Sequence, residues 1–200
     1  MLVTIAVTIL SILIFLFLFW KRLKEDYSSE IIFKSAMSIL AGIGIGWSVA
    51  VNNFPVWFFW TSFAGGLLGL VFALVRLKLR FYETLEALII SSLPWLGLIF
   101  LIDSANKGSL SSFLGFAAIL IMVFISYYLD THYKRFTWYK SGRIGFAGII
   151  VAMIFFLVRT TIAIFKVTML SFVGRSEVVI SGTMVLASLV LLLNLGKVKK

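Results

Sequence analysis

The residue least at home in its surroundings is Arg159, which interrupts the otherwise apolar stretch 144–165. A charge at that depth in a bilayer segment costs about 2.5 to 3.5 kcal/mol on insertion scales, so it faces protein, water or an anionic partner. Its planar fork of N–H groups suits a lipid phosphate, to which it can donate two parallel hydrogen bonds. The structural alternative is a buried ion pair, with Asp103 or Glu177 as the acidic candidates. Two glycine patches form the second constellation, one at Gly42, Gly44 and Gly46 and the other at Gly65, Gly66 and Gly69. The four-residue spacings Gly42/Gly46 and Gly65/Gly69 allow helix backbones to approach closely. Alternatively, Gly65 and Gly66 expose backbone to a lipid headgroup.

No nucleophile and base are spaced as a pair. Ser62, Ser91, Ser92, Ser111 and Ser112 have no histidine placed to activate them. The single histidine, His132, lies in a basic, aromatic loop with Tyr133, Phe136, Trp138 and Tyr139, which is the composition of a membrane interface. Glu83 and Glu86 fall at the start of a helix, where acidic residues are favoured in any case. Gly142-Arg143-Ile144-Gly145 sits at a membrane edge, where an arginine is ordinary. The chain has no cysteine, which excludes disulfides, thiolate metal sites and thiol nucleophiles. Neither a metal nor a cofactor is expected.

The elements that must position these residues are membrane helices. Hydrophobic residues make up 62% of the 200 and charged residues only 13%, a composition far from that of a soluble domain. The net charge of +10 does not point to nucleic acid, because the cations are divided among short loops rather than gathered on one soluble face. The apolar segments predict an all-α integral membrane protein, a bundle of seven transmembrane helices forming a single transmembrane domain over 1–200. Their expected spans are 2–20, 31–51, 56–75, 85–102, 110–129, 144–165 and 178–195, each near the ~20 residues that cross the hydrocarbon. The first span is too long for a signal-peptide core and is followed by Lys21, Arg22 and Lys24, so it reads as a retained helix. Asn52-Asn53-Phe54-Pro55 predicts a turn and Pro94 a kink.

The loops after spans one, three, five and seven hold thirteen Lys and Arg, against three in the other set, Lys107, Lys166 and Arg175. That asymmetry predicts an amino terminus outside and a carboxyl terminus in the cytoplasm.

Trp57 followed by Ser62-Phe63-Ala64-Gly65-Gly66 resembles the signature of the prolipoprotein diacylglyceryl transferases, a tryptophan before a serine, phenylalanine, histidine, glycine, glycine run. Phe155, Arg159, Ala163 and Lys166 fall where that family has a tyrosine, the arginine, a glutamate and a second basic residue. Lys140-Ser141-Gly142, Pro94 with Gly97, and 181–188 also resemble family segments. The resemblance implies a seven-helix protein of the bacterial inner (cytoplasmic) membrane, with anionic phospholipid, namely phosphatidylglycerol, as ligand. It implies prolipoprotein signal peptides as partners and, where activity is kept, transfer of the diacylglyceryl group to a lipoprotein cysteine. The implied lipid-binding residues are Arg159, Gly65, Gly66 and Ser62.

The departures are specific. Ala64 replaces the motif histidine, Trp47 or Ser48 stands at an expected arginine, and Leu101 to Asn106 replaces a glycine-arginine-x-glycine-asparagine-phenylalanine run. Alanine supplies neither base nor hydrogen-bond donor, so a catalytic residue is not assigned. The alternative implied by the same frame is a catalytically inactive scaffold or partner subunit, in which Arg159 pairs internally and no lipid-sized cavity opens.

Overall fold

The computed structural model describes residues 2–136, 145–165 and 171–197. Seven α-helices account for nearly all of them: α1 (Leu2–Leu23), α2 (Ser29–Asn53), α3 (Phe58–Leu77), α4 (Phe81–Lys107), α5 (Leu110–His132), α6 (Phe146–Phe165) and α7 (Ser176–Lys197). Each is long and apolar enough to cross a membrane. No strand occurs among the described residues. Lys140, Ser141, Gly142, Arg143, Trp138, Tyr139 and Lys166 lie outside the described residues.

Most spans match the apolar windows of the sequence, but α4 is longer at both ends than the expected 85–102. It begins at Phe81 because Glu83 and Glu86, which lower the hydropathy of its first turns, point inward to partners and are 9% and 3% exposed. It continues to Lys107 because Asp103 pairs with Lys107 one turn on, at 2.6 Å, so the polar segment expected as loop is helical. Gly108, at φ 61°, then ends it in the left-handed conformation that glycine adopts without a Cβ penalty. Pro94 lies within α4 without ending it. The turn expected at Asn52 to Pro55 is present, since α2 stops at Asn53 and a short 3-10 turn spans Pro55–Trp57.

Successive helices run antiparallel. Phe15 meets Trp95 and Arg22 meets Glu86 across α1 and α4, while Gly97 faces Ile119 across α4 and α5. The basic termini of α1, α3, α5 and α7 therefore gather at one end of the bundle, called here the basic end. Two apolar clusters fill the interior. One is centred on Phe59, Trp60, Phe155 and Phe156, and the other on Phe15, Phe19, Ile32, Ile39 and Leu70.

The glycine patches explain how α2 and α3 join. A Cβ on Gly46 would lie 2.7 Å from the Thr61 carbonyl carbon and 3.0 Å from the Ser62 Cα, and one on Gly69 would lie 2.8 Å from the Ile39 Cα. Gly42 and Gly65 each occupy the space that the other's Cβ would need. These are backbone-to-backbone contacts, the close approach that small residues permit in membrane helix pairs. Gly44, by contrast, would meet nothing within 4 Å. Gly46→Leu should therefore separate α2 from α3 and destabilise the protein by about 1 to 3 kcal/mol or more, as overpacking does, whereas Gly44→Leu should be near neutral. Unfolding midpoints of the two variants in mild detergent test this, and equal effects would refute the packing argument.

Candidate functional site

Arg159 lies on α6, facing the interior, and is only 4% exposed. The apolar turns around it hold it there: Phe155 and Phe156 pack one turn earlier, and Ala163 one turn later is also buried. Its partner is Glu177, in the first turn of α7, which is 0% exposed. Arg159 Nε donates to Glu177 Oε1 at 2.8 Å and Nη2 approaches the same oxygen at 2.7 Å. Nη1 donates to Ser171 Oγ at 2.9 Å and Nη2 to the Ser171 carbonyl at 3.0 Å.

The carboxylate is equally occupied. Ser181 Oγ donates to Oε1 at 2.6 Å, while Trp60 Nε1 and the Val173 N–H donate to Oε2 at 3.0 and 3.3 Å. Ser171 adopts φ 73°, a left-handed backbone that costs a non-glycine residue on the order of 1 kcal/mol. That conformation presents both its hydroxyl and its carbonyl to the guanidinium.

Aromatic rings complete the enclosure. The guanidinium carbon lies 4.0 Å from the Phe59 ring centre and 4.8 Å from that of Phe172, with Trp60 and Phe155 each at 5.7 Å. These π faces favour a cation over a neutral group. The void left beside it is about 10 Å³, bounded by Phe58, Leu96, Ile99 and Phe100. That holds one water at most, whereas small-molecule sites have volumes of roughly 300 to 1,000 Å³.

The other residues singled out in the sequence do not converge on this point. Gly65 meets Gly42, Gly66 meets the Ile43 side chain and Ser62 lies against Gly46, all at the α2 interface. They follow Phe59 and Trp60 by up to two turns of α3, roughly 9 Å along its axis. Ala64, at the histidine position of the resemblance, is on the exposed surface. Asp103 pairs with Lys107 and accepts from Ser112 Oγ, so of the two candidate acids it is Glu177 that meets Arg159. His132 stacks on Tyr128 at 4.4 Å near the basic end. No three His, Asp or Glu side chains among the described residues are grouped to hold a metal.

A second buried node corrects the reading of Glu86 as an ordinary helix-start acid. Its Oε2 accepts the Gly145 N–H at 2.8 Å and its Oε1 the Gly148 N–H at 3.2 Å, so it caps α6 from α4. A carboxylate is favoured where the unpaired N–H groups of a helix start converge. Arg22 Nη2 reaches Glu86 at 2.6 Å and Nη1 reaches Asp130 at 2.8 Å, joining α1 and α5 to the same point. Gly148 is required there, because its Cβ would lie 2.7 Å from Glu86 Cγ. Beside this node the Tyr27 hydroxyl donates to Glu83 at 2.9 Å and accepts the Arg80 N–H at 3.1 Å. Burial raises the Tyr27 phenol above its ordinary pKa. Trp60, Ser171 and the capping role of Glu86 have no signature in the sequence, since each depends on a contact across 12 to 117 positions.

No family model, curated protein or solved structure matches this chain. The chain is a polytopic all-α membrane protein with seven candidate spans.

The geometry makes Arg159 and Glu177 interdependent. Arg159→Ala should cost about 3 to 5 kcal/mol by stranding a buried carboxylate. Arg159→Met combined with Glu177→Gln removes both charges and keeps an acceptor for Trp60, so it should recover most of the loss. Chemical unfolding in detergent measures this, and a double variant as unstable as the single one would show that the pair is not the governing interaction.

Proposed function

We propose that this chain is a non-catalytic membrane scaffold built on the helical frame that the prolipoprotein diacylglyceryl transferases also use. The observation that carries the reading is the closure around Arg159. Of the residues the resemblance connects with lipid chemistry it is the one charged group retained, and Glu177, Ser171 and four aromatic rings occupy its surroundings. A phosphatidylglycerol headgroup entering there would have to displace a buried carboxylate that accepts several other hydrogen bonds. Three further features favour the same reading. Ala64 supplies no base, the glycines serve helix packing, and Ser62 lies against Gly46 of α2. A transferase or lipid-binding reading of Arg159, Gly65, Gly66 and Ser62 requires α7 to withdraw and release the guanidinium.

The proposed setting is the bacterial inner membrane, with the amino terminus outside and the carboxyl terminus cytoplasmic. The supporting feature is the lysine and arginine excess in one set of loops. Because the chain lacks cysteine, single substitutions give background-free labelling. Lys24→Cys should be shielded from an impermeant maleimide in intact spheroplasts, whereas Arg175→Cys should react; the reverse pattern would overturn the orientation.

The activity is tested with purified protein, phosphatidylglycerol and a signal-bearing lipoprotein precursor, scored by mass at the precursor cysteine. No diacylglyceryl addition is expected under conditions where an authentic transferase acts. Addition would sink the scaffold reading and identify Arg159 as a residue that must become accessible.

A further inference from the structure

With Arg159 enclosed, the cations available to lipid phosphates are at the basic end. Lys21 and Lys24 close α1, Arg76 and Lys78 close α3, and Lys134, Arg135 and Lys197 lie at the ends of the α5 and α7 segments. All seven are exposed, and none forms an ion pair with a described residue. The other cations of that end are treated differently: Arg22 is held by Glu86 and Asp130, Lys34 by Glu30 and Arg80 by Glu83. Two carboxylates, Glu25 and Asp26, also form no ion pair with a described residue, but they border a polar cleft of about 200 Å³ with Arg22 and Arg80. At the opposite end Lys107 is paired with Asp103, and Arg175 is the exposed described cation without an ion pair.

The spans place these seven side chains at headgroup depth. Trp20, with Lys24 Nζ 5.2 Å from its ring centre, marks the interface, as do Tyr82, Tyr127 and Tyr133 at the same end. Exposed ammonium and guanidinium groups at that depth attract anionic phospholipid, an effect worth about fivefold in affinity per cation near the surface. We propose that the basic end is an anionic-phospholipid docking ring, in which unpaired Lys21, Lys24, Arg76 and Lys78 on the α1 and α3 side bind phosphodiester headgroups of one leaflet. The ring requires only that the helices span the bilayer, whichever side faces the cytoplasm. It places lipid recognition on the rim, about 20 Å along α6 from the level of Arg159.

The test is native mass spectrometry of the full chain released from nanodiscs of equal phosphatidylglycerol and phosphatidylcholine. The wild type should retain phosphatidylglycerol at least about fivefold in excess. Lys21→Gln, Lys24→Gln, Arg76→Gln and Lys78→Gln combined should reduce the excess to near parity, with an unchanged unfolding midpoint because these side chains are exposed. Arg175→Gln should leave it intact. Raising the ionic strength during lipid exchange should erase the preference in the unmodified chain, an independent readout should the fourfold variant misfold. An excess that survives the four substitutions or high salt, or equal retention of both lipids by the wild type, would overturn the proposal. So would loss of the excess in the Arg159→Met/Glu177→Gln variant, which would put the lipid contact inside the bundle.

Discussion

The structure depends on one ion pair in a place where neither ion is stable alone. Arg159 and Glu177 are both removed from solvent, and the desolvation of each is offset only while the other remains within hydrogen-bond distance. The surrounding sequence serves that requirement. Gly174, at φ 61°, and Ser171, at φ 73°, shape the connection between α6 and α7 so that Glu177 comes opposite Arg159. Trp60 reaches from α3 to the same carboxylate, which makes the pair the junction of three helices. Such a pair is weak evidence for high stability, because a well-packed apolar replacement often does as well. What it specifies is alignment, since a shifted α7 would leave both charges buried and unpaired.

The same constraint recurs at the other end of α6. Glu86 enters from α4 and takes the first free N–H groups of α6, while Arg22 neutralises it from α1. One helix is thus fixed by a carboxylate near each end, each supplied by a different neighbour. Between these points the packing is apolar and aromatic, which is nondirectional and would tolerate sliding. Two ionic contacts about 20 Å apart along α6 exclude such sliding. Independently, α2 and α3 are joined by glycine contacts at backbone distance, a steric device requiring no charge.

How much of this was legible in the sequence follows from the range of the interactions. The helices were legible because a span of about 20 apolar residues is a local property. The start of α4 was obscured because Glu83 and Glu86 depress a hydropathy window even though both side chains are buried. The α2–α3 contact was legible as spacing, since glycines four apart form one face. The partner of Arg159 could be narrowed to two acids but not chosen, although a local clue existed: Asp103 has Lys107 four residues on, whereas Glu177 has Ser181 there, a donor that leaves its charge uncompensated. The cap that Glu86 supplies to α6 was not legible, because the N–H groups of glycine carry no side-chain signature.

A frame of this kind separates two uses of positive charge that sequence composition combines. An arginine within the hydrocarbon must be neutralised by the protein, and that neutralisation withdraws it from ligands. A lysine or arginine at the helix ends is solvated, so the fold can leave it unpaired at little cost. The distribution here follows that division: inward-facing Arg159 and Arg22 are matched with carboxylates, whereas Lys21, Lys24, Arg76 and Lys78 at the ends of α1 and α3 form no ion pair with a described residue. Chemistry on a lipid in the interior would need an inner cation with spare hydrogen-bonding capacity and space beside it. Arg159 has little of either, because Glu177 and Ser171 take four of its five N–H groups and the void beside it is the size of a water molecule.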